Sequence, residues 1–186
     1  MQRDLVVRAQ RGDLDAFSAL TAGATNRLFG AARLILRDDE HAADAVQDAL
    51  LQAWLDLRGL RDPDRFDAWL HRLLVRSCYR AAKRGRQRAV IELPLDAMLE
   101  PRTPDAQRAV AVHDQLDRGF RRLSPEQRAV IVLHFYLDLP LTQAAAVLDV
   151  PVGTAKSRLH RALEALRATL GEDPERVAST MRERQA

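Results

Sequence analysis

Cysteine is nearly missing from this chain of 186 residues: Cys78 stands alone. A single thiol forms no internal disulfide and no cysteine-rich metal site, so a reducing cytoplasm is the expected compartment. Aromatic residues make up only 5% of the chain and strand-like alternation is absent, which argues against β-structure. No stretch approaches eighteen consecutive apolar residues, so direct membrane insertion is not expected. The opening MQRDLVVRAQRGD lacks the apolar core of a signal peptide. The histidines, His41, His71, His113, His134 and His160, are scattered without ligand-type pairing. With no phosphate loop and no nucleophile constellation either, no catalytic residue, metal or cofactor is expected, and the chain does not read as an enzyme.

What is present is helix and arginine. A hydrophobic content of 47% suits one or two small globular domains. The net charge of +3 is modest, but its distribution is uneven. Residues 1–88 carry a net +4, residues 89–106 a net −3, residues 107–171 a net +3 and the remainder −1. Two basic domains thus flank an acidic connector, and basic domains favour phosphate backbones. Only Lys83 and Lys156 are lysines.

The punctuation residues fall where helices should start and stop. The pattern predicts helices over about 15–36, 40–58 and 63–84. Gly59 ends the second; Asp62 caps the third, with Pro63 at its first position. Residues 89–106 contain Pro94, Pro101 and Pro104 among acidic residues and read as a flexible linker. Further helices are predicted over about 106–121, 125–137, 141–148 and 152–170. Ser124-Pro-Glu-Gln127 has the form of a capping box. Residues 172–186 read as a frayed tail.

Residues 141–170 form two helices around the short turn Asp149-Val-Pro151. At about 100° per residue, Ala155, Leu159, Ala162, Leu163, Leu166 and Leu170 share one stripe of the second helix. Gly153, Thr154, Ser157, His160, Arg161 and Glu164 lie opposite, with Lys156 and Arg158 on the shoulders. Small and polar residues in the first turns let the helix approach base edges, and the cations reach phosphates or guanine edges. This is a helix-turn-helix layout. A basic face by itself more often means solvated charge; the short turn favours DNA. Upstream, Val46, Leu50, Ala53, Trp54 and Leu57 have helical core spacing, with Asp44, Gln47, Asp48 and Leu51 beside and in front of them. Farther on, Phe66, Trp69, Leu70, Leu73, Leu74 and Cys78 form an apolar stripe. No acidic residue stands between Asp67 and Glu92, whereas Arg72, Arg76, Arg80, Lys83, Arg84, Arg86 and Arg88 do. Such a run repels itself unless an anion binds, although cations also suit a helix C-terminus.

VPVGTAKSRLHRAL resembles the recognition-helix signature of the extracytoplasmic-function (group 4) sigma factors of the sigma-70 family. LSPEQRAVIVLHFYLDLPL resembles the segment leading into it, and Asp44 to Trp54 resembles the family's DxVQExFxxAW string, with Asp48 for Glu and Leu50 for Phe. The resemblance covers roughly residues 13–88 and 107–170, in the family's order. It implies an all-α protein of two small helical domains, with nothing folded between them and no long N-terminal extension. Sigma domain 2 would occupy 1–88 and sigma domain 4 would occupy 107–171. It implies that Asp44, Gln47, Asp48 and Leu51 dock on the coiled coil of the β′ clamp of core RNA polymerase, and that domain 4 sits on the β flap. It implies that Arg61, Asp62, Arg72, Arg76, Arg80, Lys83 and Arg84 serve the −10 promoter element, the loop 59–65 holding a flipped base. Gly153, Thr154, Lys156, Ser157, Arg158, His160 and Arg161 would read the −35 element. An anti-sigma factor is a further implied partner. The chain departs from the family at Pro140, where a capping Ser is usual, and at Gln143, where Glu is usual. Arg76 often corresponds to Asn and Arg80 often to Asp, so no −10 base preference carries over. The alternative from the residues alone is a self-sufficient helix-turn-helix regulator, which would need a dimer interface to span two half-sites. No leftover apolar helix offers one.

Overall fold

The computed structural model describes residues 2–89 and 116–170, without the side chains of 86–89 and 170. The expected connector beyond Ala89, the start of the helix predicted from 106, and the tail all lie outside the described residues. Every described regular element is helical. The first group comprises α1 (Gln2–Gln10), α2 (Leu14–Ala22), α3 (Thr25–Leu36), α4 (Asp39–Asp56) and α5 (Phe66–Ala89). The second comprises α6 (residues 116–122), α7 (Pro125–Ile131), α8 (Leu141–Leu148) and α9 (Val152–Leu170).

The starts follow local chemistry. Asp13 accepts from the Ala16 N–H at 2.9 Å and Asp38 from the His41 N–H at 2.7 Å, each satisfying a donor that its helix leaves unpaired. Both carboxyls are thereby held below the usual range, chiefly by those N–H groups. The Ser124–Gln127 capping box is complete. Asp62 caps as expected, but the first turn, Pro63–Arg65, is a 3₁₀ turn before α5 proper.

Three elements differ from the sequence-based expectation. The helix predicted over 15–36 is two helices, because the Thr21 carbonyl is taken by the Ala24 N–H at 3.0 Å and by the Thr25 hydroxyl at 2.8 Å. The helix predicted over 125–137 finishes as a π turn, Val132–Tyr136, with the Leu137 N–H reaching back to the Val132 carbonyl at 3.0 Å. Helix α1 was not predicted at all; Val6 and Ala9 are its only buried residues, too few to make a period.

In the first group, α3, α4 and α5 pack together around Leu28, Ile35, Ala49, Phe66, Leu70 and Leu74. In the second, α7, α8 and α9 surround Ile131, Leu133, Ala145, Ala162 and Leu166. Truncating a fully buried side chain such as Phe66 to Ala costs about 3–5 kcal/mol through lost transfer energy and the cavity left behind. The groups also pack on each other: α5 lies against α7 and α8, and α3 against α7 and the π turn.

Candidate functional site

Three surfaces collect the candidate residues. On α4, Asp44, Gln47 and Leu51 are exposed, whereas the buried side is alanine-rich, with Ala42, Ala45, Ala49 and Ala53. Leu51 is 57% exposed, unusual for leucine, and Leu14 of the neighbouring α2 is 62% exposed. They rim an open groove of about 620 Å³ lined also by Phe17, Phe29, Leu50 and Trp54. Trp54 is only partly buried; its ring meets Phe17 edge-on at 5.1 Å and 60°. The sequence placed Trp54 in the core but missed this groove, because Leu14 and Phe17 come from a helix it had merged with α3. Asp48 differs from its three companions: its carboxylate lies 3.7 Å from the Arg84 guanidinium, which ties α4 to α5.

The second surface is the loop before α5 and the basic side of that helix. Arg61 and Asp62 are exposed, and Asp62 accepts from the Asp64 N–H at 3.1 Å. Helix α1 braces this loop. The Gln10 amide donates to the carbonyls of Leu57 at 3.1 Å and Leu60 at 2.7 Å, and Arg3 pairs with Asp64 at 2.6 Å. The cations of α5 do not act as one array. Lys83 is exposed, Arg80 donates to the Ser77 hydroxyl at 2.9 Å, and Arg84 faces Asp48. Arg72 donates to the Ala146 carbonyl at 2.8 Å, and Arg76 lies 3.8 Å from Asp149. Those two are directed at the end of α8. The side chains of Arg86 and Arg88 lie outside the described residues.

The third surface is α9. Ala155, Ala162 and Leu166 are buried, and Leu159 and Leu163 are half-buried beside them, as the periodicity predicts. Gly153, Lys156, His160 and Arg161 are exposed. Thr154, Ser157 and Arg158 are half-buried; the Ser157 hydroxyl donates to the Thr154 carbonyl at 3.0 Å, and His160 lies 3.3 Å from Glu164. The turn between α8 and α9 requires a left-handed residue, supplied by Asp149 at φ 57°, a conformation Asp tolerates better than most residues. Pro140 precedes α8 without any side-chain cap, so the departure there removes one hydrogen bond and leaves the helix in place.

The titratable core residues are quiet. Burial pushes the Cys78 thiol up to about 12, so the lone cysteine is a packing residue. Burial lowers the pKa of His71 and raises that of Tyr79. Among the described residues, no group of three His, Cys, Asp or Glu side chains is placed to hold a metal ion. No described helix is long and apolar enough to cross a membrane.

Comparison with known proteins gives this layout a family. Residues 24–88 match the model of sigma-70 region 2, and residues 113–166 match that of sigma-70 region 4. The chain is 33% identical over 168 residues to the ECF RNA polymerase sigma factor SigM of Mycobacterium tuberculosis, covering 90% of this chain and 84% of that one. It is 30% identical over 159 residues to the RNA polymerase sigma-E factor of Streptomyces coelicolor, covering 86% and 88%. Among solved structures it resembles CnrH in complex with the cytosolic domain of CnrY, with a TM-score of 0.66 and 29% identity over 92% of this chain and 98% of that one. It also resembles the sigma factor RpoE of Bartonella quintana in complex with the anti-sigma factor NepR, with a TM-score of 0.66 and 26% identity over 84% and 98%. An all-helical chain carrying region 2 and region 4 in this order is a sigma factor of RNA polymerase. It belongs to the extracytoplasmic-function sigma factors of the sigma-70 family.

Proposed function

We propose that this sigma factor acts without chemistry of its own, in the cytoplasm, by docking core RNA polymerase and presenting it with two promoter elements. The polymerase surface is Asp44, Gln47 and Leu51 with the adjoining groove, and Asp48 at its edge. An exposed apolar patch rimmed by polar residues is what a protein partner covers. The loop with Arg61 and Asp62, and the cations Arg72, Arg76, Arg80, Lys83 and Arg84, hold the melted −10 strand. Backbone charge supplies the affinity, and a pocket admits the flipped base. Domain 2 spans 1–88 and domain 4 spans 107–171.

The observation that carries the reading is the exposed face of α9. Lys156, His160 and Arg161 project opposite the buried Ala155–Ala162–Leu166 stripe, and Gly153 and Thr154 leave the helix start slim enough to enter a major groove. One of the similar solved structures is the sigma factor RpoE in complex with the anti-sigma factor NepR, and another is CnrH in complex with the cytosolic domain of CnrY. By analogy, an anti-sigma factor restrains this chain until an envelope or stress signal arrives.

The test is reconstitution. The purified chain is mixed with core polymerase and a library of templates randomised at both elements, and run-off transcripts are sequenced. Enrichment of one spaced pair of motifs is the expected result. A chain that fails to co-purify with core, or that binds duplex DNA as a dimer without it, would make it a free-standing regulator instead.

A further inference from the structure

Resting on the promoter reading above, we infer that the end of α1 carries a second single-strand contact: Arg11 and Arg58 take phosphates of the strand whose base the loop 59–65 holds. Helix α1 lies outside residues 24–88, the part of the chain that matches region 2. On this face the fold neutralises some cations and leaves others bare. Arg3 pairs with Asp64 at 2.6 Å, Arg8 with Asp13 at 2.7 Å, and Arg65 lies 3.4 Å from Asp62. Arg11, Arg58 and Arg61 are exposed, and none has an ion pair among the described residues. The acids beside them in the sequence are engaged elsewhere. Asp13 caps α2 and holds Arg8, Asp56 accepts from the Gln52 amide at 2.6 Å, and Asp62 takes the Asp64 N–H.

Tertiary contacts gather these three cations. The Gln10 amide donates to the carbonyls of Leu57 at 3.1 Å and Leu60 at 2.7 Å, so the last turn of α1 lies on the segment that carries Arg58 and leads into Arg61. Gly12 follows Arg11 and turns the chain towards α2 at φ 95°, a conformation that glycine adopts without strain. The Arg58 guanidinium lies beside it: a Cβ on Gly12 would stand 3.9 Å from Nη2. Residues 47 positions apart thus meet at one junction, with no acid left to offset them.

Each cation alone suits a helix end, since Arg11 follows α1 and Arg58 follows α4, where the dipole favours positive charge. That gain is local and does not require the two ends to meet. Bringing them together adds repulsion between like charges, which a bound anion relieves. Guanidinium groups suit phosphate oxygens in particular, through two parallel hydrogen bonds. A strand whose base enters the loop 59–65 has phosphates on both sides of that base. Along the chain, α5 and its cations follow the loop, and the α1 junction stands at its start. One side of the strand therefore falls to α5 and the other to Arg11 and Arg58.

The test uses the full chain in four forms: the parent, Arg11→Gln with Arg58→Gln, Arg11→Lys with Arg58→Lys, and a control of equal charge loss. The control is Arg121→Gln with Arg122→Gln, both exposed on α6. All the substituted side chains are exposed, so the variants should keep the fold, which circular dichroism checks. The probe is a labelled mixed-sequence single-stranded DNA of about 15 nucleotides, titrated at several salt concentrations. Losing two phosphate contacts should lower the log–log salt slope by about 1.4, at about 0.7 per phosphate. The lysine pair and the control should keep the parent's slope. An unchanged slope in the glutamine pair overturns the contact and leaves Arg11 and Arg58 as helix-end cations. So does an equal fall in the control or in the lysine pair, or a parent that binds no single strand. Run-off transcription with core polymerase separates the two readings. A parent that transcribes while the glutamine pair keeps its slope loses the α1 contact and retains the promoter reading. A parent that directs no transcription, with the slope difference present, loses the promoter reading and retains the single-strand site.

Discussion

The guanidinium of Arg72 donates a 2.8 Å hydrogen bond to the main-chain oxygen of Ala146, across 74 residues of sequence. It joins the basic helix of region 2 to the helix that supports the DNA reader of region 4. A residue chosen for its place in a run of cations is thus engaged with a carbonyl oxygen at a helix end, where a cation is favoured.

The polymerase face is tested at Leu51. Leu51→Glu should weaken binding to core at least tenfold, because it puts a charge into an apolar contact. Stability should change by no more than about 0.5 kcal/mol, since the side chain is largely exposed. Competition binding with labelled core and a thermal melt read the two effects. Asp48→Arg is a poorer probe, because it would set a second cation beside Arg84. Wild-type core affinity in Leu51→Glu would remove the groove from the interface.

The recognition helix is tested at Lys156 and Arg161, both exposed on α9. Alanine at a phosphate-contacting position should lower affinity for every sequence and flatten the log–log salt dependence by about one unit. Alanine at a base-contacting position should relax the preference at one base pair by about 1–3 kcal/mol. Titration of the holoenzyme on −35 duplexes at several salt concentrations tells these apart. No change in either variant would move the DNA contact off this face.

Neutralising Arg76 and Arg80 together removes charge from the proposed −10 surface and frees Asp149 from its cation. Open-complex formation on duplex promoters should therefore fall. A template with a pre-melted bubble should recover the loss if melting is the defect, and little of it if strand holding is. Permanganate footprinting follows the bubble directly. Full activity on duplex DNA would make this run a solvated helix face.

His71 sets an acid limit on stability. Burial lowers its pKa below 6.5; Arg27 adds to the shift and Asp67 opposes it. The unfolded chain therefore takes up a proton first as pH falls. Stability from this group is complete above about pH 6.5 and is lost as pH drops through the lowered folded value, at a slope of up to about 1.4 kcal/mol per pH unit. His71→Gln should flatten the fall in urea-denaturation free energy just below about pH 6.5 by up to that slope. An identical slope in both proteins would assign the acid sensitivity to other groups.

Much of this protein was legible in one dimension because much of it is local. Helix starts depend on residues two or three positions apart, so Asp62 and Ser124 could be read as caps. The buried stripe of α9 follows from its period, and the spacing of the region 2 and region 4 strings carries the family. The failures came where one carbonyl or one contact decides. Competition for the Thr21 carbonyl splits α2 from α3, and so hides the groove that Leu14 shares with Leu51. Helix α1 has too few buried residues to announce itself, and its worth lies in Gln10 reaching Leu57 and Leu60, residues far along the chain.

The sequence by itself determined the helices, the charge of their faces and the order of the two regions, because these depend on neighbours within a few residues. Only the tertiary structure decided which cations are free and which are held. Lys83 and Arg72 look alike in a run of basic residues. One meets solvent, and the other meets the end of a helix more than seventy residues away, and nothing in the local sequence of either encodes that difference.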